Sequence, residues 1–132
     1  MESEQVMRER IEHVVLLDDD SFMLSVMEEM MRDLGAQHVH CFSNAKDALC
    51  DILRWPRALL VCDLRMPDMD GIEFLDKLAR LGYAGNVVLH SGVGAGVMRA
   101  AEKLARAHGL TVLGAYEKPI DRVALLHSLA TS

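Results

Sequence analysis

Asp63 closes an apolar run and opens a loop rich in Pro, Met and Gly, in the string LLVCDLRMPDMDG. An apolar run that ends in an acidic residue predicts a buried parallel strand that delivers a carboxylate to its C-terminal end. Open α/β sheets place their ligand sites at that end. Three other strings deliver polar side chains to the same edge: Asp18, Asp19 and Asp20 after VVLL, Ser91 in VVLHSG, and Lys118 in VLGAYEKP. The sequence therefore predicts a polar site at one edge of a sheet.

The residue types at this edge indicate phosphoryl transfer. Adjacent aspartates that face Asp63 from a neighbouring strand raise one another's proton affinity unless a cation neutralises them. A hard divalent ion with oxygen ligands, Mg²⁺ above all, resolves that conflict. Lys118 can pair with a carboxylate and later with a phosphoryl oxygen, and Ser91 offers a hydroxyl to another such oxygen. A metal ion, an ammonium and a hydroxyl around a carboxylate are the parts needed for phosphoryl transfer to that carboxylate.

The rest of the chain supplies the elements that would position these side chains. After a charged leader, residues 1–12, strand-like and helix-like patterns alternate five times through one domain, residues 13–132. The predicted strands lie near His13–Asp18, Gln37–Phe42, Ala58–Asp63, Asn86–His90 and Thr111–Ala115. Apolar residues between the strands recur at three- and four-residue spacing, which predicts helices.

Strand–helix alternation with short connections implies a doubly wound α/β fold, a five-stranded parallel sheet with helices on both faces. The segment at Gln37 alternates polar and apolar residues, which predicts an edge strand, whereas the solidly apolar segments at Val14 and Ala58 predict central strands. Three glycines follow helical stretches, where a left-handed C-cap is wanted: Gly35, Gly82 and Gly109.

Composition and charge exclude several classes of protein. The chain has 132 residues, enough for one domain with a substantial core, and a net charge of −6 with scattered Lys and Arg. No basic patch indicates direct nucleic-acid binding, and no apolar run reaches the length of a membrane span. The first residues lack the apolar stretch of a signal peptide. Three cysteines without metal-ligand spacing are typical of reduced thiols in a cytoplasmic protein: Cys41, Cys50 and Cys62.

Four motifs in register resemble the receiver domain of two-component response regulators. They are VVLLDDDSFML, LLVCDLRMPDMDG, VVLHSG and YEKPI, and the resemblance covers about residues 13 to 130. It implies the chemotaxis-receiver-like, flavodoxin-like fold with strand order 2-1-3-4-5, and a cis peptide before Pro119. It also implies that Asp63 is the phosphoacceptor, that Ser91 is the switch hydroxyl and that Lys118 senses the phosphoryl group.

The resemblance further implies the metal site and the partners. Asp18, Asp19, Asp63 and the backbone carbonyl of Arg65 would hold Mg²⁺, while Asp20 is expected to point away. The partners would be a sensor histidine kinase or a phosphotransfer protein, with a downstream output domain or protein. A phosphorylation-dependent homodimer is compatible with the family. The protein would be a cytoplasmic signalling switch and not an enzyme, apart from its own phosphorylation and dephosphorylation, and would contact neither membrane nor nucleic acid directly.

The chain departs from many receivers on its fifth strand. An aromatic residue commonly stands three positions before the lysine, whereas this chain has Ala115 there, with Tyr116 expected on the opposite face. The stretch HSGVGAGVMRAAEKLARAHGLTVLGAYEKPI is similar to receivers fused to EAL-type domains, which hydrolyse cyclic di-GMP. The resemblance therefore extends to a subgroup as well as to the family.

Two other functions stay open at this point. Haloacid-dehalogenase-type phosphatases also combine a strand ending in DxD with a later hydroxyl and lysine, an order that Asp18, Asp20, Ser91 and Lys118 partly imitate. Against this hypothesis, the chain is short for a core and cap, and only Asp121 follows the lysine. A pseudo-receiver that acts only as an interaction module is the third hypothesis, and the intact set of polar residues argues against it.

A pair of histidines lies outside this constellation. His38 and His40 share one face of the predicted edge strand and could ligate a metal ion. Without further ligands in the sequence pattern, surface histidines are the favoured interpretation.

Overall fold

The structure is a computed structural model that describes residues 11–131, in which five strands alternate with five helices. The strands are β1 (His13–Leu17), β2 (His38–Phe42), β3 (Leu59–Cys62), β4 (Asn86–Ser91) and β5 (Thr111–Glu117). The helices are α1 (Ser21–Asp33), α2 (Ala45–Asp51), α3 (Gly71–Arg80), α4 (Ala95–Ala107) and α5 (Arg122–Thr131). A short 3₁₀ turn, Ile52–Arg54, continues α2.

The strands form one parallel sheet in the order β2-β1-β3-β4-β5, which confirms the predicted fold. Every residue of β3 is buried, and β1 is buried after His13, as expected for strands covered on both faces. β2 contains no fully buried residue and lies at the edge. Strand order reverses between β1 and β3, and the carboxyl ends of these two strands carry the acidic residues. The fold thus places the candidate site at its topological switch point.

The last strand is longer than predicted. β5 continues past Ala115 to Glu117, because it stays paired with β4 as far as Ser91. A register shift accommodates one extra residue, Leu113, in the manner of a bulge. The pairing of Ser91 with Glu117 places Lys118 directly after the strand end, at the same edge of the sheet as Ser91.

Two apolar clusters pack against the two faces of the sheet. The larger includes the buried residues of α3, and the smaller includes those of α1 and α5: Phe74, Leu75 and Leu78 in the first, and Met27, Met31, Leu125 and Leu129 in the second. Cys62 is fully buried in the larger cluster, which confirms that it is a core residue. Within residues 11–131, no helix has both the length and the apolar character needed to cross a bilayer.

The predicted helix ends are confirmed at the three glycines. Gly35, Gly82 and Gly109 have positive φ angles of 108°, 78° and 94°. Each follows a helix and turns the chain toward the next strand. A side chain with a Cβ is strained in this left-handed region, so glycine is the residue that these C-caps require.

The described residues include the last two residues of the predicted leader, Ile11 and Glu12. Residues 1–10 of the predicted leader lie outside the described residues, so the leader stays a prediction. Ile11 is fully buried in the smaller cluster, and the carbonyl of Glu12 accepts the N–H of His38 over 2.9 Å. Among the described residues, the packing that supports β1 therefore already includes residue 11.

Candidate functional site

Asp63 follows β3 at the C-terminal edge of the sheet, and only 4% of the residue is exposed. The hydroxyl of Ser91, at the end of β4, donates a hydrogen bond to Oδ1 over 2.6 Å. The ammonium of Lys118, after β5, donates to Oδ2 over 2.7 Å. The structure therefore brings these three predicted site residues together, and each carboxylate oxygen of Asp63 faces a donor from a different strand end.

Lys118 bridges two carboxylates. Its ammonium also lies 2.6 Å from Oδ2 of Asp18, which is as buried as Asp63. Burial alone would lower the pKa of Lys118, but the hydrogen bonds with Asp18 and Asp63 outweigh burial and raise that pKa. Burial raises the pKa of Asp18, although the hydrogen bond from Lys118 opposes the effect. Two buried carboxylates share one ammonium, so the site retains negative charge that a further cation would stabilise.

The acidic residues converge as a metal site requires. One carboxylate oxygen from each of Asp18, Asp19 and Asp63 lies within 4.8 Å of the others. Asp19 is exposed and the other two are buried, so the cluster opens to solvent on one side. A set made only of carboxylate oxygens suits a hard divalent cation such as Mg²⁺, and does not suit a soft one. The donor chemistry of these residues thus fits the predicted ion.

Asp20 has a different role from its two neighbours. Its Oδ1 accepts the backbone N–H groups of Phe22 at 2.9 Å and Met23 at 3.3 Å, so it is the N-cap of α1. Its own N–H donates to Oδ1 of Asp18 over 2.9 Å. The side chain of Asp20 therefore stabilises the helix start and is directed away from the acidic cluster, as expected.

The loop after β3 is held against the site at Arg65. The N–H of Arg65 donates to Oδ1 of Asp63 over 2.9 Å. Arg65 also forms an isolated bridge with Asp70, whose side chain caps α3 by accepting the N–H of Ile72 at 2.7 Å. The peptide of Arg65 thus lies beside the phosphoacceptor candidate. That its carbonyl ligates the metal stays a prediction.

Asp68 links the same loop to α2, a contact that sequence patterns did not reveal. Its two carboxylate oxygens accept the N–H groups of Ala45 at 3.0 Å and Lys46 at 2.9 Å. These hydrogen bonds lower the pKa of Asp68. They satisfy orphan donors at the helix start, where negative charge is favoured. The string MPDMDG therefore holds two caps, one for α3 and one for the more distant α2.

His90 is a second residue that sequence reasoning missed. It lies beside Ser91 in β4, is 2% exposed, and accepts the N–H of Ile120 on Nε2 over 3.1 Å. This bond joins β4 to the segment that follows Lys118, where the Lys118–Pro119 peptide is cis. A buried histidine needs a hydrogen-bond partner. The presence of a histidine in a mostly apolar predicted strand was therefore the sequence signal that could have indicated this contact.

His90 is expected to make the stability of the metal-free protein sensitive to acid. Burial, followed by the charge of Lys118, lowers the pKa of His90 from 6.5 to about 4. The unfolded chain therefore binds a proton that the folded chain does not between these values, and stability falls as pH falls through that window. The loss approaches roughly 3 kcal/mol at the acid end.

Urea unfolding of the wild type and of His90→Gln at several pH values measures this effect. Glutamine can accept the N–H of Ile120 without titrating, so the variant should show a shallower loss of stability between pH 6.5 and about 4. Identical pH dependence in the two proteins would exclude His90 as the source.

A hollow replaces the aromatic residue that many receivers carry on the fifth strand. Ala115 lines a hollow of about 160 Å³ together with Met98, Arg99 and Glu102 of α4. Ala115 packs against the larger cluster and Tyr116 against the smaller one, so the two side chains lie on opposite faces of the sheet as expected. No aromatic ring from position 115 therefore fills the space between β5 and α4.

Comparison with known proteins identifies the family. Residues 14–130 match the model of the response regulator receiver domain. A crystal structure of a response regulator from Colwellia psychrerythraea superposes with a TM-score of 0.75 at 30% identity, and the match covers 90% of this chain and 94% of that chain. The match therefore extends over almost the whole of both chains.

Curated relatives give the same result over a shorter stretch. Response regulator protein TodT from Pseudomonas putida is 34% identical over 88 residues, which is 67% of this chain and 38% of that protein. Response regulator protein TmoT from Ectopseudomonas mendocina is 33% identical over 90 residues, which is 68% of this chain and 40% of that protein. The aligned part thus spans well under half of either relative. The similarity to receivers fused to EAL-type domains stays a prediction.

Proposed function

Because the chain belongs to the response regulator receiver domain family, we propose that it is a phosphorylation-activated switch in which Asp63 accepts a phosphoryl group from phosphohistidine. One observation supports the assignment of this role to Asp63. Asp63 is buried at the edge of the sheet, with Ser91 on one carboxylate oxygen and Lys118 on the other. Both donors can move their hydrogen bonds to the oxygens of a phosphoryl group that is transferred to that carboxylate.

In the proposed reaction, a carboxylate oxygen of Asp63 attacks the phosphorus of a phosphohistidine in line with the leaving nitrogen. The P–N bond breaks as the new P–O bond forms, and the leaving imidazole takes up a proton to become neutral histidine. Lys118 stays paired with the developing negative charge, and Ser91 transfers its hydrogen bond to a phosphoryl oxygen. Mg²⁺ held by Asp18, Asp19, Asp63 and the carbonyl of Arg65 would neutralise charge on the phosphoryl oxygens when bound.

The partners and location follow from the same proposal. A sensor histidine kinase or phosphotransfer protein would present the phosphohistidine, and an output domain or protein would respond to the phosphorylated form. Phosphorylation-dependent dimerisation is compatible with such a switch. The site is proposed to act in the cytoplasm and to turn over nothing except its own acyl phosphate.

The direct test is phosphorylation by a small donor. Incubation with acetyl phosphate or phosphoramidate and Mg²⁺ should add one labile phosphoryl group per chain, detected by intact mass and lost in mild base. No label under these conditions would support a pseudo-receiver. The phosphatase alternative predicts turnover of phosphomonoester substrates, whereas the switch predicts none. The cap formed by Asp20 on α1 opposes the phosphatase alternative, because that chemistry needs both acids of the DxD string at the site.

The signal is predicted to leave the site through the loop between β4 and α4. Ser91 and Asp63 are bonded over 2.6 Å, so transfer of this bond to a phosphoryl oxygen moves the end of β4. Gly92 is exposed, with nothing within 4 Å of where its Cβ would lie, so the adjacent loop has room to rearrange. Since no aromatic ring stands at Ala115, we expect this loop and the start of α4 to carry the change. The exposed residues Arg99, Lys103 and Arg106 of α4 and the half-buried Tyr116 would border the altered surface.

Hydrogen exchange with and without beryllium fluoride, an acyl-phosphate mimic, measures this prediction. Protection should change in residues 92–99 and change little in residues 45–53, which include α2. The Ser91→Ala variant is the matched control, because it should still bind the mimic but transmit a smaller change to the loop. A response limited to α1, or to the turn at residues 18–20, would contradict the proposed route.

A further inference from the structure

Three histidines and the single tryptophan lie together at the end of the sheet opposite the phosphorylation site. His13 begins β1 and pairs in register with His38 of β2, while His40 lies two residues further along β2. The rings of His13 and His38 stack with centroids 4.6 Å apart, and those of His40 and Trp55 stack at 3.6 Å. Two adjacent strands and the segment after α2 thus gather four aromatic rings on one face of the sheet.

Two imidazole nitrogens in this cluster are spaced as ligands of one metal ion. Nδ1 of His13 and Nε2 of His40 lie 3.3 Å apart. A tetrahedral ion with metal–nitrogen bonds of about 2.0–2.1 Å holds its nitrogen ligands roughly 3.3–3.4 Å apart. We propose that His13 and His40 form a binding site for a divalent transition metal of the imidazole-preferring class, such as Zn²⁺ or Ni²⁺, with His38 as the third protein ligand.

The hydrogen bond between the rings of His13 and His40 is compatible with metal binding by both rings. In the structure, one nitrogen of the pair donates to the other, so one of them carries a hydrogen. When the ion binds, that hydrogen moves to the other nitrogen of the same ring, and both neutral rings present a lone pair. The nitrogens keep their separation, and the rings only need to tilt so that their lone pairs converge on the ion.

The third ligand requires a side-chain rotation. Among residues 11–131, three or more potential metal-ligand atoms from His, Cys, Asp or Glu lie within 4.8 Å of one another only at the acidic cluster. The histidine site therefore begins with two nitrogens. His38 is exposed and its ring lies against His13, so rotation of this side chain can bring in a third nitrogen. Water would complete the coordination shell.

Charges around the cluster affect binding in opposite directions. A hollow of about 470 Å³ opens beside His13 and is also lined by Glu12, Arg54 and Arg57. Glu12 favours a cation there and the two arginines oppose one, although Arg54 lies 3.7 Å from the carboxylate of Asp51.

The two proposed metal sites differ in position and in chemistry. β1 separates them, since His13 begins the strand and Asp18 follows its last residue. The acidic cluster presents oxygen atoms, which favour Mg²⁺, and the histidine cluster presents nitrogen atoms, which favour zinc, nickel or copper. Saturating Mg²⁺ should therefore occupy the first site and leave the second available.

The experiment titrates NiCl₂ into the untagged full chain with saturating Mg²⁺ present and follows tryptophan fluorescence. Trp55 is the only tryptophan and its ring stacks on His40, so a paramagnetic ion at this site should quench its emission. We expect saturable quenching with one Ni²⁺ per chain, reversed by a chelator, and ZnCl₂ should compete for the same site. His13→Gln and His40→Gln should each weaken Ni²⁺ binding by about tenfold or more, and His38→Gln should weaken it less.

Two control variants keep the result specific. His108→Gln removes a histidine that lies beside Asp76, away from this cluster, and should bind Ni²⁺ like the wild type. Cys41→Ser removes the thiol next to His40, which instead contacts Glu28 at 3.7 Å, and should also bind normally. Wild-type affinity in both His13→Gln and His40→Gln, or loss of binding in Cys41→Ser, would overturn the proposal. If either glutamine variant unfolds, His38→Gln supplies the test, and undiminished binding there would remove the third ligand.

Discussion

Asp63→Asn is expected to abolish phosphorylation by acetyl phosphate or phosphoramidate in the presence of Mg²⁺. An amide oxygen is a poor nucleophile, and asparagine has no carboxylate with which to form an acyl phosphate. The substitution keeps the size of the side chain in a residue that is 4% exposed, and the ammonium of Lys118 retains its contact with Asp18. The variant should therefore fold while losing the chemistry.

Intact mass after incubation with the donor measures this result. Asp20→Asn is the matched control: it makes the same chemical change two residues after Asp18, and asparagine caps a helix as well as aspartate does. That control should be labelled like the wild type. Stoichiometric, base-labile labelling that persists in Asp63→Asn would contradict the assignment of Asp63 as the phosphoacceptor, since another residue would then carry the phosphoryl group.

Asp19→Asn is expected to weaken Mg²⁺ binding far more than Asp20→Asn does. Asp19 belongs to the acidic cluster with Asp18 and Asp63, and it is the exposed member. Its loss removes one negative ligand from a site that has few, so the dissociation constant should rise by about tenfold or more. Asp20 binds the backbone of α1 instead, and its substitution should leave affinity nearly unchanged.

Calorimetric titration of Mg²⁺ into the three proteins measures the difference. Equal affinities in the two variants would mean that the acidic turn presents a different residue to the metal than we infer. Asp18→Asn is less informative, because it also removes a hydrogen bond from Lys118 and so changes two features of the site.

Local patterns predicted which strands are central and which lies at an edge, and the resemblance to receiver domains implied the rest of the strand order. The apolar runs of β1 and β3 required burial on both faces, and the mixed pattern of β2 required an edge. Once the strands are ordered, the polar residues at their carboxyl ends must meet, and Asp63, Ser91 and Lys118 do so. Periodicity and position along each strand were sufficient for that part of the site.

Contacts between distant backbone and side-chain groups could not be predicted in the same way. Asp68 lies 23 residues from Ala45, and nothing in either segment specifies that one caps the other. His90 and Ile120 are 30 residues apart, and their bond depends on the path of the chain after Lys118. The extra residue Leu113 in β5 likewise depends on how β4 and β5 pair, and apolar spacing does not record it.

Gly92 offers a way to hold the protein in one state. Its φ is outside the left-handed region, and an added Cβ would meet nothing within 4 Å, so the structure described here tolerates alanine. Alanine would lower the conformational entropy of the unfolded chain and so stabilise the folded, unphosphorylated state by about 0.4–1 kcal/mol. It would also exclude loop conformations that only glycine adopts. The immobilised Gly92→Ala variant would thus serve as a bait that stays in the unphosphorylated state when partners are screened. A protein retained equally by this bait and by the wild type with beryllium fluoride does not respond to the switch.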